Sequence, residues 1–432
     1  MSLQLGSAAR ERGIRYFLVS YTDLFGTQRA KLVPAAAIES TCRNGAGFAG
    51  FATWLDMSPA DADLLAVPDP AGLVQLPWKP EVGWLPADLV MDGAAVEQGP
   101  RNILKRLIAQ AARAGLQMKT GVEPEFFLTR PDGLEPADTA DRQAKPCYDQ
   151  SALMRHYDVI AEICDAMTAL GWQPYQNDHE DANGQFEMNW AYDDALVTAD
   201  RHAFFKYMAR TVAERHGLRA TFMPKPFADL TGSGCHAHIS LWRDGRNLCA
   251  DPEDELGLSE TGYHFIGGLI HSAEALAALT NPTVNSYKRL NAPRTASGAT
   301  WAPNTVTYAG NNRTHMIRVP GGGRFEFRLA DGAANPYLLQ AAILAAGLDG
   351  IHNRRDPGRR LDINMYTQGH AVEGVKRLPL NMLDALRALE ESPVLNEALG
   401  AFIPSYLKLK HEEWGAYCRH LTQWERDTTL DC

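Results

Sequence analysis

Four short segments of this chain carry ionisable residues at a spacing of two. They read Gly121-Val-Glu-Pro-Glu-Phe-Phe-Leu128, Asn183-Gly-Gln-Phe-Glu-Met-Asn189, Cys235-His-Ala-His-Ile-Ser-Leu241 and Arg324-Phe-Glu-Phe-Arg-Leu329. Successive side chains on a strand point to opposite faces, so Glu123 and Glu125 share a face, as do Gln185 and Glu187. The same rule groups His236, His238 and Ser240, and then Arg324, Glu326 and Arg328. A solvated outer face would account for any one of these strands. Together they fit it less well, because solvent faces mix Lys, Glu and Thr, whereas these carry Glu, His and Arg and no Lys. Glu and His are hard-to-borderline metal ligands, and Arg is the fork that grips carboxylate and phosphate. A sheet presenting them on one concave side suits divalent metal chemistry on a phosphorylated substrate.

A further cluster runs Asn177-Asp-His-Glu-Asp-Ala-Asn-Gly-Gln-Phe-Glu187. Glu180 and Glu187, joined by a turn at Asn183-Gly184, could converge on one cation. A calcium loop is excluded, since the alternation of acidic ligands and the glycine position do not match. Gly45-Ala-Gly-Phe-Ala-Gly50 spells GxGxxG without the strand and helix a dinucleotide site needs, and Gly321-Gly-Gly323 lacks the Lys-Ser/Thr of a phosphate loop. The seven cysteines contain no CxxC pair. Cys235 and His236 would point to opposite faces of a strand, so Cys235 is expected to be a small buried apolar residue rather than a zinc ligand.

The elements that must position these residues follow from pattern and punctuation. Segment 14–33 places apolar runs on both sides of Asp23-Leu24-Phe25-Gly26, a hairpin. Residues 68–100 are rich in Pro, Gly and Trp, and Pro100 opens a helix that Gly115 stops. The chain therefore divides near residue 97. Helices are predicted over 151–170, 198–216, 261–279 and 335–350, with a mostly helical tail from about 381 and a polar surface loop over 129–148. Strands and helices in runs indicate an α+β fold.

Composition narrows the function class. The 432 residues carry 42 Lys+Arg against 52 Asp+Glu, a net charge of −10. A protein that neutralises many phosphates of a nucleic acid needs the opposite sign. The longest apolar stretch, 337–348, is broken by Gln340 and falls short of the roughly 20 residues that span a bilayer. The start, MSLQLGSAARERG, lacks the apolar core of a signal peptide. These features predict an acidic cytoplasmic enzyme with neither nucleic-acid nor membrane partners.

Seven segments in order make the chain resemble the glutamine synthetase superfamily over nearly its whole length. They are GVEPEFFL (121–128), NDHEDANGQFE (177–187), FMPKPF (222–227), GSGCHAHISL (232–241), NSYKRL (285–290), NNRTHMIRVP (311–320) and RFEFRLAD (324–331). GAGFAG, KPCYD, DHEDANGQFE and SGATWAP are most similar to the branch containing γ-glutamylmethylamide synthetase. The resemblance implies a β-grasp domain over 1–97 and a catalytic domain over 98–432 built on a curved antiparallel sheet. It implies a homododecamer of two stacked hexamers, with each active site at a subunit boundary. By position, Glu125, Glu180 and Glu187 would hold one Mg²⁺ (or Mn²⁺) and Glu123, His236 and Glu326 another, for two to three ions per site. His238, Ser240 and Arg324 would contact ATP. Gly232, Arg289 and Arg328 would position glutamate, with Arg313, Arg318 and Arg328 serving phosphoryl transfer.

Two departures bear on the second substrate, and a third, at Thr231, bears on how the glutamate backbone is bound. Trp301-Ala-Pro303 stands where glutamine synthetases carry a flap Glu before Ala-Pro, and Phe48-Ala49-Gly50 is the nearest match to a loop whose Asp helps bind ammonium. Thr231 replaces the usual Asn before Gly232. Carboxylates favour the charged ammonium ion, so an indole and a methyl in their places predict a roomier pocket for an N-alkyl group. The alternative at Trp301 is that it packs the flap while another subunit supplies an acid. The implied reaction is ATP-dependent ligation of glutamate to methylamine. The alternatives are ammonia, another amine such as ethylamine, ethanolamine or a polyamine, and a non-catalytic relative.

Overall fold

The computed structural model describes residues 4–293, 295, 297, 298 and 300–432. Residues 1–3 of the N-terminal stretch and Ala299 of the SGATWAP segment lie outside these.

The first sheet is built from β1 (Tyr16–Thr22), β2 (Gln28–Pro34), β3 (Ala46–Phe48), β4 (Leu64–Pro68) and β5 (Val82–Met91), in the order β2-β1-β5-β4-β3. Two short strands, Val74–Gln75 and Ala94–Ala95, also pair with β5. β1 and β2 form the predicted hairpin. Asp23 Oδ1 accepts from the N–H groups of Phe25 and Thr27, and Gly26 takes φ +81°, a conformation glycine adopts without penalty.

Helix α1 (Pro100–Arg113) then carries the chain out of this sheet, with Pro at its first turn and Gly115 at φ +69° just past its end. Arg101 near its start is buried and ties the layers together. Its guanidinium donates to Asp88 (2.5 Å), Asp69 (2.8 Å) and Asp200 (2.9 Å), and Tyr337 Oη donates to Asp200 (2.8 Å). Asp88 lies on β5 and Asp69 just past the end of β4, whereas Asp200 and Tyr337 lie on helices of the following layer.

The second sheet holds the chemistry. Its path is β10-β11-β12-β9-β6-β8-β7, with β6 (Gln117–Thr129), β7 (Pro174–His179), β8 (Gln185–Trp190), β9 (Cys235–Arg243), β10 (Tyr308–Ala309), β11 (Ile317–Arg318) and β12 (Phe325–Phe327). Apart from the parallel pair β10–β11, neighbours on this path run antiparallel. The back of the sheet is apolar: Phe126, Phe186, Phe205 and Phe222 pack there, with Trp190 against Phe205. Helix α3 (Ala195–Arg215) lies behind β6, and α5 (Pro336–His352) packs against α1, α3 and α4 (Glu260–His271). α5 is apolar almost all round, as a helix enclosed on all sides must be. α2 (Tyr157–Ala169) packs on α3 further out.

Two predicted helices are each broken by one residue. The 151–170 segment forms Gln150–Arg155 and α2, interrupted at His156 (φ −108°, ψ 17°). The 261–279 segment forms α4 and Ala273–Thr280, interrupted at Ser272 (φ −97°, ψ 6°). Both residues sit in the bridge region between helical and extended backbone, which apolar periodicity does not reveal. Past Thr129, the end of β6, the polar 129–148 segment contains no helix and no named strand, yet it is anchored. Buried His179 contacts Asp141 Oδ2 at 2.7 Å and the Pro146 carbonyl at 2.9 Å.

Candidate active site

Strand register brings the four spaced faces together. His236 on β9 lies opposite Glu123 on β6, Glu187 on β8 lies opposite Glu125, and Glu326 on β12 lies opposite both His238 and Arg318. Glu123, His236 and Glu326 offer ligand atoms within 4.8 Å of one another, as do Glu125, Glu187 and His236. A third group joins Glu187 to Glu180 and Asp178. The Glu125, Glu180 and Glu187 set thus converges on Glu187, shared by two overlapping groups. Asp178 had not been singled out from the sequence, although period-two spacing from Glu180 was the available signal.

The surrounding polar groups hold these carboxylates in place. Glu125 Oε2 accepts from the Gly234 N–H (2.7 Å) and from Gln185 (3.2 Å). Asn189 donates to Glu187 Oε1 at 2.8 Å. Position 234 has no space for a side chain: a Cβ there would sit 2.8 Å from His236 Nε2 and 2.8 Å from an Arg289 nitrogen. Glu326 is fully buried between two arginines, accepting from Arg318 (2.7 Å) on Oε2 and from Arg328 (2.5 Å) on Oε1. His238 Nε2 lies 2.9 Å from Glu123 Oε1 while Arg324 donates to its Nδ1 at 3.4 Å, which fixes the Nε2–H tautomer.

Electrostatics divide the cluster in two. Burial pushes Glu326 up, but Arg328 and the two histidines hold it down at about 2. Burial likewise opposes ionisation of Glu123, and the adjacent His236 and His238 keep it well below the usual carboxylate range. On the other side, burial and the charge of Glu125 drive Glu180 well up, and burial and Glu123 do the same to Glu187. Burial and Glu125 raise Asp178 to about 6. Burial, then Arg328, lowers His236.

These residues fit divalent cations. His236 Nε2 is buried with no hydrogen-bond partner, and Glu187 is crowded by the carboxylates of Glu123, Glu180 and Glu125. An oxygen-rich set with one imidazole suits hard to borderline ions such as Mg²⁺ and Mn²⁺.

Two adjoining cavities open over the sheet. The inner one, about 300 Å³, is bordered by the acidic cluster together with Trp301, Arg313, Arg318 and Arg328. The outer one, about 660 Å³, is bordered by His238, Ser240, Arg324, Tyr175 and Trp242. Glu123, Gln176, Arg313 and Arg318 border both. Cys147 also borders the inner cavity, but burial and then Glu180 push its thiol up to about 12, so it is not a thiolate nucleophile.

The remaining expected site residues are placed less uniformly. Arg289 is buried beside the cluster, where it donates to the Leu329 carbonyl at 3.0 Å. The Gly232 carbonyl accepts from Gln185, and a Cβ at Gly232 would meet the Pro224 carbonyl at 2.4 Å. Trp301 does border the inner cavity. It adopts φ +53°, a left-handed conformation that costs a bulky residue about 1–3 kcal/mol, and surrounding contacts must hold it there. Ala49 lies exposed after β3 in the first sheet and borders neither cavity of the single chain. Asp181 was not foreseen at all. Its Oδ2 accepts from Trp301 Nε1 (2.7 Å), Thr231 Oγ1 (3.0 Å) and Ser297 Oγ.

Known proteins share this architecture. The family described as "Glutamine synthetase, catalytic domain" matches residues 97–429. A protein named glutamine synthetase from Rhizobium leguminosarum bv. phaseoli is 66% identical over 434 residues, covering 100% of both chains. A protein named glutamate–methylamine ligase from Methyloversatilis universalis is 44% identical, covering 98% of this chain and 97% of its own. A solved structure described as "GmaS/ADP complex-Conformation 1" superposes with a TM-score of 0.97 at 66% identity, covering 100% of both chains. The matches span the sheet, both cavities and all seven segments, and the chain belongs to the glutamine synthetase family.

Proposed function

We propose that this chain joins the γ-carboxylate of L-glutamate to methylamine at the expense of ATP, giving γ-glutamylmethylamide, ADP and phosphate. The observation that carries the choice of amine is Trp301: an indole, not a flap carboxylate, borders the inner cavity. The name of the ligase from Methyloversatilis universalis agrees with it. Ammonia is the second reading, favoured by the names of the Rhizobium relatives at 66% and 64% identity.

The outer cavity suits the nucleotide, with His238, Ser240 and Arg324 as contacts to ATP. Arg313 and Arg318 border both cavities, so they are placed to hold the phosphoryl group as it passes from ATP to glutamate. Glutamate occupies the inner cavity, oriented by Arg289, Arg328 and the Gly232 backbone. Its γ-oxygen attacks the terminal phosphorus, the bond to ADP breaks, and guanidinium groups offset the charge spread over the transferring oxygens. The amine nitrogen then attacks the γ-carbonyl carbon, phosphate departs, and the nitrogen loses a proton. Walls that exclude water protect the acyl phosphate meanwhile. Two or three Mg²⁺ or Mn²⁺ ions, held by Glu123, His236 and Glu326 and by Glu125, Glu180 and Glu187, would offset phosphate charge and so lower the barrier to attack by an anion.

Because Ala49 is remote from the cavity of its own chain, it would meet a site only in a neighbouring subunit, consistent with a dodecamer of two stacked hexamers. Native mass spectrometry tests that assembly. The amine is tested by phosphate release with ATP, Mg²⁺ and glutamate, titrating methylamine against ammonia. A higher kcat/KM for methylamine supports the assignment, and a much higher value for ammonia overturns it.

A further inference from the structure

We propose that Asp181 is a positioning residue for the amine: it latches Trp301 across the inner cavity, and the indole so held screens its carboxylate from the amine. The inference rests on the amine-ligase function above and concerns how that site selects its second substrate.

Asp181 is buried and hydrogen-bonded to the indole of Trp301. Trp301 borders the inner cavity; Asp181 does not, and instead borders a void of about 10 Å³ together with Thr231, Thr295 and Ser297. One oxygen of Asp181 accepts three hydrogen bonds, from Trp301 Nε1, Thr231 Oγ1 and Ser297 Oγ. The indole N–H is the only donor of the tryptophan side chain. The ring plane is therefore set by Asp181. The other end of the residue is held as well, its carbonyl accepting from Arg328 at 3.3 Å. Together these contacts hold a bulky side chain at φ +53°.

Two departures from the family pattern meet at this one carboxylate. Thr231 and Trp301 lie 50 and 120 residues from Asp181 in sequence, and both donate to it. The latch also touches the metal cluster, because the Asp181 N–H donates to Glu180 Oε2 at 2.9 Å. With the latch closed, the amine faces an indole and the carboxylate has its donors filled from behind. With the latch broken, the ring is free to turn and the carboxylate faces the pocket, an arrangement that favours a small ammonium ion able to donate on all sides.

The test is a double-mutant cycle on the full-length enzyme with Trp301→Phe and Asp181→Ala, reading KM for amine, glutamate and ATP by phosphate release. Trp301→Phe keeps a ring and removes only the donor. Each single variant is expected to raise the methylamine KM about tenfold, roughly 1.4 kcal/mol, with KM for glutamate and ATP within about twofold and kcat less affected. The double variant should be no worse than the poorer single one, since both break one bond. Should Asp181→Ala fail to fold, Trp301→Phe alone decides through its amine KM, since it removes the same bond from the other side. Additive effects in the cycle overturn the latch, as does an unchanged amine KM in Trp301→Phe. A rise in glutamate and ATP KM equal to that for the amine assigns Asp181 a merely structural role and also overturns it. The ratio of methylamine to ammonia kcat/KM in the unmodified enzyme tests the function itself. If that ratio favours ammonia, the cycle run with ammonia still decides whether the latch exists.

Discussion

Replacing Glu187 by Gln isolates the electrostatic logic of the site, because the two residues have nearly the same shape and differ by one charge. Glu187 has carboxylate oxygens of Glu125, Asp178 and Glu180 within 4.8 Å, and at an effective dielectric constant of about 20 each such ionised pair repels by about 3.5 kcal/mol. Without a cation the cluster relieves this by keeping protons: burial and Glu123 raise Glu187, burial and Glu125 raise Glu180, and Asp178 lies at about 6. These carboxyls bind more protons folded than unfolded over that window, so metal-free stability falls as pH rises from about 4 through the folded values. Glu187→Gln removes one member of the set, and its metal-free stability at pH 7–8 is expected to rise by about 1–3 kcal/mol, a few degrees in Tm. Its response to Mg²⁺ should move the other way. Saturating metal at 100 times Kd stabilises the unmodified chain by about 2.7 kcal/mol, and a lost ligand that weakens affinity tenfold to a hundredfold removes about half or more of that gain. Scanning fluorimetry in EDTA and across a Mg²⁺ titration at pH 6 and 8 measures both arms. The predicted signature is a crossing: Glu187→Gln melts higher in EDTA and gains less from Mg²⁺. A variant that melts lower in EDTA yet keeps the full Mg²⁺ shift refutes the metal assignment.

Glu326→Ala should abolish turnover and also destabilise the fold by about 3–5 kcal/mol, because it leaves Arg318 and Arg328 without their buried partner. Chemical denaturation and phosphate release separate the two effects, and near-normal turnover would refute the assigned site. Trp301→Glu should shift the kcat/KM ratio from methylamine toward ammonia; an unchanged ratio means that Trp301 does not contact the amine. Arg101→Met should lower stability by a similar 3–5 kcal/mol, since three aspartates lose their common partner, while KM values of the folded fraction stay unchanged. An unaltered unfolding midpoint would show that this network does not couple the first sheet to the helices packed on it.

The catalytic face was legible in the sequence because a strand has a fixed period of two and because Glu, His and Arg are uncommon together on a solvated face. Alternation alone therefore aligned Glu123 with Glu125 and His236 with His238, and register then set the rows side by side. Bonds across the other axis carry no such period. The Arg101 contact with Asp200 bridges 99 positions, and the donors to Asp181 come from 50 and 120 positions away. Asp181 follows Glu180 directly, so strand logic turns it away from the metals and offers no reason to inspect it. Helix breaks at His156 and Ser272 escaped for a related reason: one residue in the bridge region leaves the apolar stripe intact.

Charge at the amine pocket depends on more than whether a carboxylate is present. A comparison of sequence positions shows Trp301 in place of an acid and concludes that the flap lost its negative charge. The fold keeps a carboxylate adjacent to the pocket, at Asp181, and satisfies it with donors from the flap residues Ser297 and Trp301 and from Thr231. A buried carboxylate supplied with three donors has less need of a further cation than an unsatisfied one at the same place. The amine preference then depends on hydrogen bonds behind the wall as much as on the wall itself. Thr231 and Ser297 should accordingly influence it although neither borders the inner cavity.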